Sequence, residues 1–303
     1  MNSIYVIGVI VGLFGGILTQ AGQLVQKKAA NDIFRASHEK YLRRLIRHPL
    51  WLAGLIFGIG GGGIAYVIAQ SLIGPALVPG LMAIGLIVLA IGSVKMNQEQ
   101  LNPSEITAIF IMIIGIFFIG LSGLAISSAQ VRAALADSST LIRIASFTGA
   151  YFVLFLFARL LVLSIKAYSG VFIALGNGFL FAQSDFWVNP LIAVILIVLG
   201  GKGTTTQVII FVAASIILST CGAVVTWQNQ MAFRYSQASN IIPVMHVPIQ
   251  ISPIIVYFLV FGLPAPTRVS MFYALMGVAL TITAGFLLGR RKEVLAEENP
   301  SEI

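Results

Sequence analysis

The chain has 303 residues, 58% of them hydrophobic and 9% charged, with a mean hydropathy of +0.98. A soluble domain of that composition would lack the polar residues needed to face water, so the sequence is that of a polytopic membrane protein. The formal net charge of +8 does not signal nucleic acid, because the basic residues lie at span ends and in loops, where they set orientation.

Windows of about 20 apolar residues, the length that crosses ~30 Å of hydrocarbon, fall at 3–25, 49–71, 74–96, 104–127, 142–165, 169–199, 206–229, 238–261 and 266–288. Nine helices are predicted. The first window has no basic residue before it and Lys27 and Lys28 directly after it, the reverse of a signal peptide, so it reads as a true span. Residues 26–47 are too polar to cross and read as a basic amphipathic helix on the cytoplasmic surface.

Small residues mark where helices should touch. Gly8, Gly12 and Gly16 recur every four residues in the first span, and Gly54, Gly58 and Gly62 do so in the second. The GIGGGG run at 58–63 satisfies a dinucleotide fingerprint only as a string, since no strand precedes it and it lies mid-span.

The sixth window is overlong: 31 residues reach ~46 Å as a helix, so it must tilt, protrude or break near Pro190. It also holds Asp185, the only carboxylate in the middle of a predicted span, Glu105 standing at the very start of the window 104–127. An ionised side chain at bilayer depth costs at least ~2.5–3.5 kcal/mol, and most such groups face a protein interior or a wet cavity. Asp185 and Asn189, four residues apart, share a helix face, with Asn177 about 80° round. The missing N–H of Pro190 frees the carbonyl of Phe186. Hard oxygen donors of this kind suit Mg²⁺, with Asp185 and Asn189 as metal ligands. Gln183 lies close by, and Phe186 with Trp187 reads either as a cation–π box for an organic cation or as lipid-facing or packing aromatics. The opposing reading is a structural lock of Asp185 with Arg159 or a backbone donor.

His246 and Gln250 stand four apart in the eighth span, among Pro243, Pro248 and Pro253, and so share one face. They read as a proton relay or supporting ligands, or else as satisfied core polar groups. Gln228 and Asn229 sit at the inner end of the seventh span. The middles of the spans hold no second carboxylate, and the spans hold no HExxH, no Cys/His cluster and no nucleophile elbow, so the chain reads as no enzyme and as binding no cofactor.

The basic residues Lys27, Lys28, Arg35, Lys40, Arg43, Arg44, Arg47, Lys95, Lys166, Arg234, Arg290, Arg291 and Lys292 occupy alternate loops, with Arg132, Arg143, Lys202 and Arg268 opposite. This predicts an outside N terminus and a cytoplasmic C terminus, in the cell membrane. The tail from Glu293 reads as disordered.

GVIVGLFGGILTQAGQ from Gly8 aligns with GVFIALGNGFLFAQSD from Gly170, and Pro79 of LVPGLMA falls on Pro243 of IIPVMHV. The shift of 162–164 residues makes Gln20 and Gln23 counterparts of the neighbourhood of Gln183 and Asp185. An odd number of helices between equivalent positions gives two inverted-topology repeats, 1–127 with four helices and 141–289 with five, before a tail at 290–303. Transporters of that architecture bind substrate near the midplane.

HPLWLAG, AYVIAQ, LVPGLMAIG, NQEQLNPSE and IMIIGIFFIGLSG, between His48 and Gly123, resemble the drug/metabolite transporter (EamA-like) superfamily. Within it, Trp51, Ala53 and Gly54, the Val78-Pro79 pair and Lys27-Lys28 are similar to the NIPA-type magnesium transporter family. The chain departs from that branch at Glu99-Gln100-Leu101, typically Glu-Arg-Leu, and carries Asp185 and Asn189 where the branch has a lysine. The resemblance implies inward movement of Mg²⁺ or a related divalent cation by alternating access. A proton-coupled exporter of a small organic cation or metabolite, working through Asp185 and His246, is the alternative, and a non-transporting scaffold the third reading. The lipid bilayer is the one partner the spans require; a homo-oligomer is compatible with them.

Overall fold

The computed structural model describes residues 3–36, 41–73, 78–124, 126 and 128–290. Among these residues every regular element is helical. Eight helices among the described residues are long and apolar enough to cross a membrane, so the protein is a polytopic helical membrane protein.

The first group comprises α1 (Ser3–Ala36), α2 (Tyr41–Ile46), α3 (Pro49–Leu55), α4 (Gly63–Ile73), α5 (Val78–Met82), α6 (Gly85–Asn97) and α7 (Pro103–Leu121). A π-helical segment, Ile56–Gly62, joins α3 to α4 without a break. The GIGGGG run therefore sits within a membrane helix, where low-propensity glycines let the backbone slip to the wider π turn. The second group comprises α8 (Ser128–Ala134), α9 (Ser138–Ser164), α10 (Ser169–Leu199), α11 (Thr205–Tyr235), α12 (Ala238–Ile255), which runs on as a π turn to Val260, and α13 (Arg268–Gly289). Local chemistry starts these helices where the sequence turns polar. The backbone N–H of Asn102 donates to Glu105 Oε2 at 2.8 Å before α7, and the Gln207 N–H donates to Thr204 Oγ1 at 3.3 Å at the head of α11.

Each group is built around one helix. α1 carries α3, the π segment, α4, α5 and α6, while α10 carries α9, α11 and α12. The two glycine rows mark these contacts. Gly22 of α1 meets the backbone of Gly54 and Gly58, and Gly12 lies against Leu81 and Ala69. The same close crossing occurs twice: a methyl group on Gly16 would strike the Met82 carbonyl, and one on Gly178 would strike the Met245 carbonyl. The groups join chiefly through α7 against α13, with α1 touching α11 and α12.

Two predicted elements differ, and a third, which the sequence left open, is decided. The third span is two short helices, because i→i−3 hydrogen bonds from Ile84, Leu86 and Ile87 make a turn at 83–84; α6 alone is a shorter apolar helix. The sixth run is a single helix of 31 residues that continues through a buried Pro190; proline there removes one hydrogen bond, which the surrounding packing outweighs. Residues 26–36 are not a separate surface helix but the last turns of α1, and Lys27 is buried at 6% exposure. Residues 37–40 and the tail from Arg291 lie outside the described residues.

Candidate functional site

Four residues of α10, Phe181, Ser184, Asp185 and Val188, form a stripe with the i, i+3, i+4, i+7 spacing of one helix face. That stripe walls a cavity of about 390 Å³. The remaining walls come from α1 with Gln20 and Gln23, from the π segment and α4 with Gly62 and Tyr66, from α11 with Cys221 and Asn229, and from α12 with His246 and Gln250. The cavity therefore lies where the two helix groups meet, midway along α1, α10 and α12. Its volume falls within the range of small-molecule sites.

Asp185 is the only charged side chain on the wall among the described residues. No lysine or arginine lines the cavity among the described residues. Arg159, the partner in the structural-lock reading, is exposed on α9, and α9 contributes nothing to the cavity. Asp185 is half-buried, its open side being the cavity, and it shares that wall with Tyr66 of α4. Tyr66 in turn accepts a hydrogen bond from Gln70 at 3.1 Å.

The amides that Gln20, Gln23 and Gln250 bring to the wall each leave the side-chain oxygen without a protein partner, as does His246 at Nδ1. Gln20 and His246 meet through their Nε2 atoms at 3.2 Å, a polar contact between the two groups. One carboxylate and several acceptor oxygens around an apolar-walled space make a site for a positive charge: there is an anion to neutralise it and there are carbonyls to solvate it.

Five of the predicted site residues, Asp185, Gln20, Gln23, His246 and Gln250, come together on this wall. Four do not. Asn177 is fully buried one layer behind it, donating to Asn229 Oδ1 at 2.7 Å. Gln183 and Trp187 stand two residues either side of Asp185, about 200° round the helix, and so face away. The Trp187 indole donates to Thr148 Oγ1 of α9 at 3.1 Å and packs edge-on against Phe186, so the cation–π box is corrected to a packing cluster. Asn189 is also off the wall, because Val188 continues the stripe, and the pairing of Asp185 with Asn189 as metal ligands loses its second member. No cluster of three or more His, Cys, Asp or Glu exists among the described residues.

Tyr66, Ser184 and Cys221 were missed from the sequence. Tyr66 had a signal in hindsight, four residues after Gly62 on the face that the glycine row turns toward α1. No family model, curated protein or solved structure matches the chain.

Proposed function

We propose that the protein is a membrane transporter that binds a small cation at Asp185 and passes it across by alternating access of its two helix groups. The observation that carries this reading is a carboxylate within a membrane-length helix that faces a cavity and has no lysine or arginine on its wall among the described residues. A structural acid would be expected to be clamped, because an unpaired buried charge is costly. A scaffold would be expected to have a filled centre.

Charge balance favours a singly charged substrate. One carboxylate neutralises one positive charge, whereas a divalent ion would keep a net charge in an apolar-walled space, at a cost of several kcal/mol. The cavity accordingly suits a small organic cation, or a metabolite exchanged against a proton that Asp185 takes up in its absence. His246, tied to Gln20 across the groups, is placed to follow that exchange. A second reading, the Mg²⁺ transport implied by the NIPA-like motifs, is favoured by the unpartnered oxygens of Gln20, Gln23 and Gln250. Such oxygens can hold an ion that keeps its waters, and six waters need only about 180 Å³.

The twofold Gly16–Met82 and Gly178–Met245 crossing and the central roles of α1 and α10 support two inverted repeats, 1–127 and 141–289. The charge distribution supports a cytoplasmic basic end in the cell membrane. The deciding experiment is flux of a cation panel into proteoliposomes, with and without a pH gradient. The expected result is uptake of monovalent organic cations that Asp185→Asn abolishes. Voltage-driven Mg²⁺ entry that ignores the pH gradient would establish the second reading, and flux unchanged in Asp185→Asn would end both.

A further inference from the structure

We infer that Lys27 and Glu99 form a charged latch that closes the cavity at the basic end of the bundle and must release for the cavity to open there. That end carries the exposed Lys28, Arg43, Arg44, Arg47 and Lys95. The inference rests on the reading of the cavity as a transport site.

The latch is built on the break between α11 and α12. At that break α11 ends in carbonyls that lack helical partners and α12 begins with N–H groups that lack theirs, so a negative helix end and a positive one lie side by side. The first helix group supplies the matching charge to each. Lys27 of α1 donates through Nζ to the carbonyls of Phe233 and Ser236, the latter at 3.0 Å. Glu99 accepts from the backbone N–H of Ala238 at 2.8 Å, from that of Ser239 at 3.0 Å and from the Ser239 hydroxyl at 2.6 Å. Both side chains are 6% exposed, and their charges are close enough to attract each other.

The backbone aims Glu99 at this point. α6 ends with Gln98 in the left-handed conformation at φ 56°, and the Glu99 N–H turns back to the Ser93 carbonyl at 3.1 Å. One step nearer the cavity, Gln230 Nε2 donates to Gln26 Oε1 at 2.8 Å, and Gln26 itself lines the cavity. The floor is thus a tier of amides above a tier of charges, each spanning from one helix group to the other. Charge-assisted hydrogen bonds to helix ends can be exchanged for water when the groups separate, which interlocked apolar side chains do not allow at comparable ease.

The chain contains one cysteine, Cys221, and it lines the cavity. The protein therefore carries its own reporter. Wild type, Lys27→Met, Glu99→Gln and the conservative Lys27→Arg are reconstituted in oriented vesicles and treated from each side with a membrane-impermeant methanethiosulfonate. The expected result is a wild-type Cys221 shielded from the basic end. Lys27→Met and Glu99→Gln should each label from that end about tenfold to a hundredfold faster, the ratio that loss of a charge-assisted bond gives, with Lys27→Arg close to wild type. If one neutralising variant does not assemble, the other carries the comparison. Variants that lower thermal stability without changing the labelling rate would reduce both residues to helix caps and overturn the latch. So would a wild type labelled equally from both ends. Faster labelling in variants of a protein that moves no cation would uphold the latch and defeat the transport reading alone.

Discussion

Gln20 on α1 and His246 on α12 meet at 3.2 Å between their Nε2 atoms. An amide nitrogen only donates, so in this pairing the imidazole Nε2 accepts and the ring proton sits on Nδ1, which leaves the ring neutral. His246→Leu removes the acceptor and strands the amide in a buried wall, a loss of about 1–3 kcal/mol. The double variant Gln20→Leu/His246→Leu is expected to recover part of that loss, measured by thermal unfolding in detergent. Strict additivity of the two single changes would show that the pair is not coupled.

Gly16 and Gly178 should be equally intolerant of a side chain. A methyl group at either runs into main-chain carbonyl, of Met82 or of Met245, and backbone does not yield as a flexible side chain would. Gly16→Ala and Gly178→Ala should each destabilise by about 1–3 kcal/mol. Gly149→Ala, in α9, meets nothing within 4 Å and should gain about 0.5–1 kcal/mol from helix propensity alone. Melting temperatures of the three variants side by side test the close-crossing account.

Gln98 holds φ 56° at the end of α6, a conformation that costs a residue with a Cβ. Gln98→Gly should stabilise the protein by about 1 kcal/mol, as glycine does at helix C-termini of this kind. A drop in melting temperature instead would mean that the Gln98 side chain is doing something its backbone does not explain.

Asp137 caps α9 outside the membrane spans, accepting from the backbone N–H groups and hydroxyls of Ser139 and Thr140. The Ser139 hydroxyl, then that of Thr140, and their amides hold the Asp137 carboxyl down to about 2. A folded value below the unfolded one means the stabilisation is complete above about 4 and fades as the pH falls through about 2. Asp137→Ala should therefore melt below wild type near neutral pH and converge with it at the acid end. A constant difference across that window would assign the effect to something other than the charge.

Length and composition, with no structure in hand, determined that the chain is a helical membrane bundle, where most spans fall, and that Asp185 is the group to explain. Those are properties of hydropathy along a line: an apolar stretch of given length must cross, and an acid within it is conspicuous. The glycine rows were legible too, because close helix contact demands small side chains at regular spacing, and so was the polar stripe of His246 and Gln250, because helical period puts them on one face. Only the tertiary structure decided which way α10 is turned. Rotating that helix by nearly half a turn would bring Trp187 or Gln183 to the cavity in place of Asp185, and nothing in an all-round apolar helix fixes the rotation. It likewise decided that Lys27 is buried, because its partners are helix ends more than 200 residues away along the chain. Those carbonyls and the N–H groups facing Glu99 are backbone atoms that every residue possesses, so their pairing leaves no trace in the sequence until folding brings the ends together.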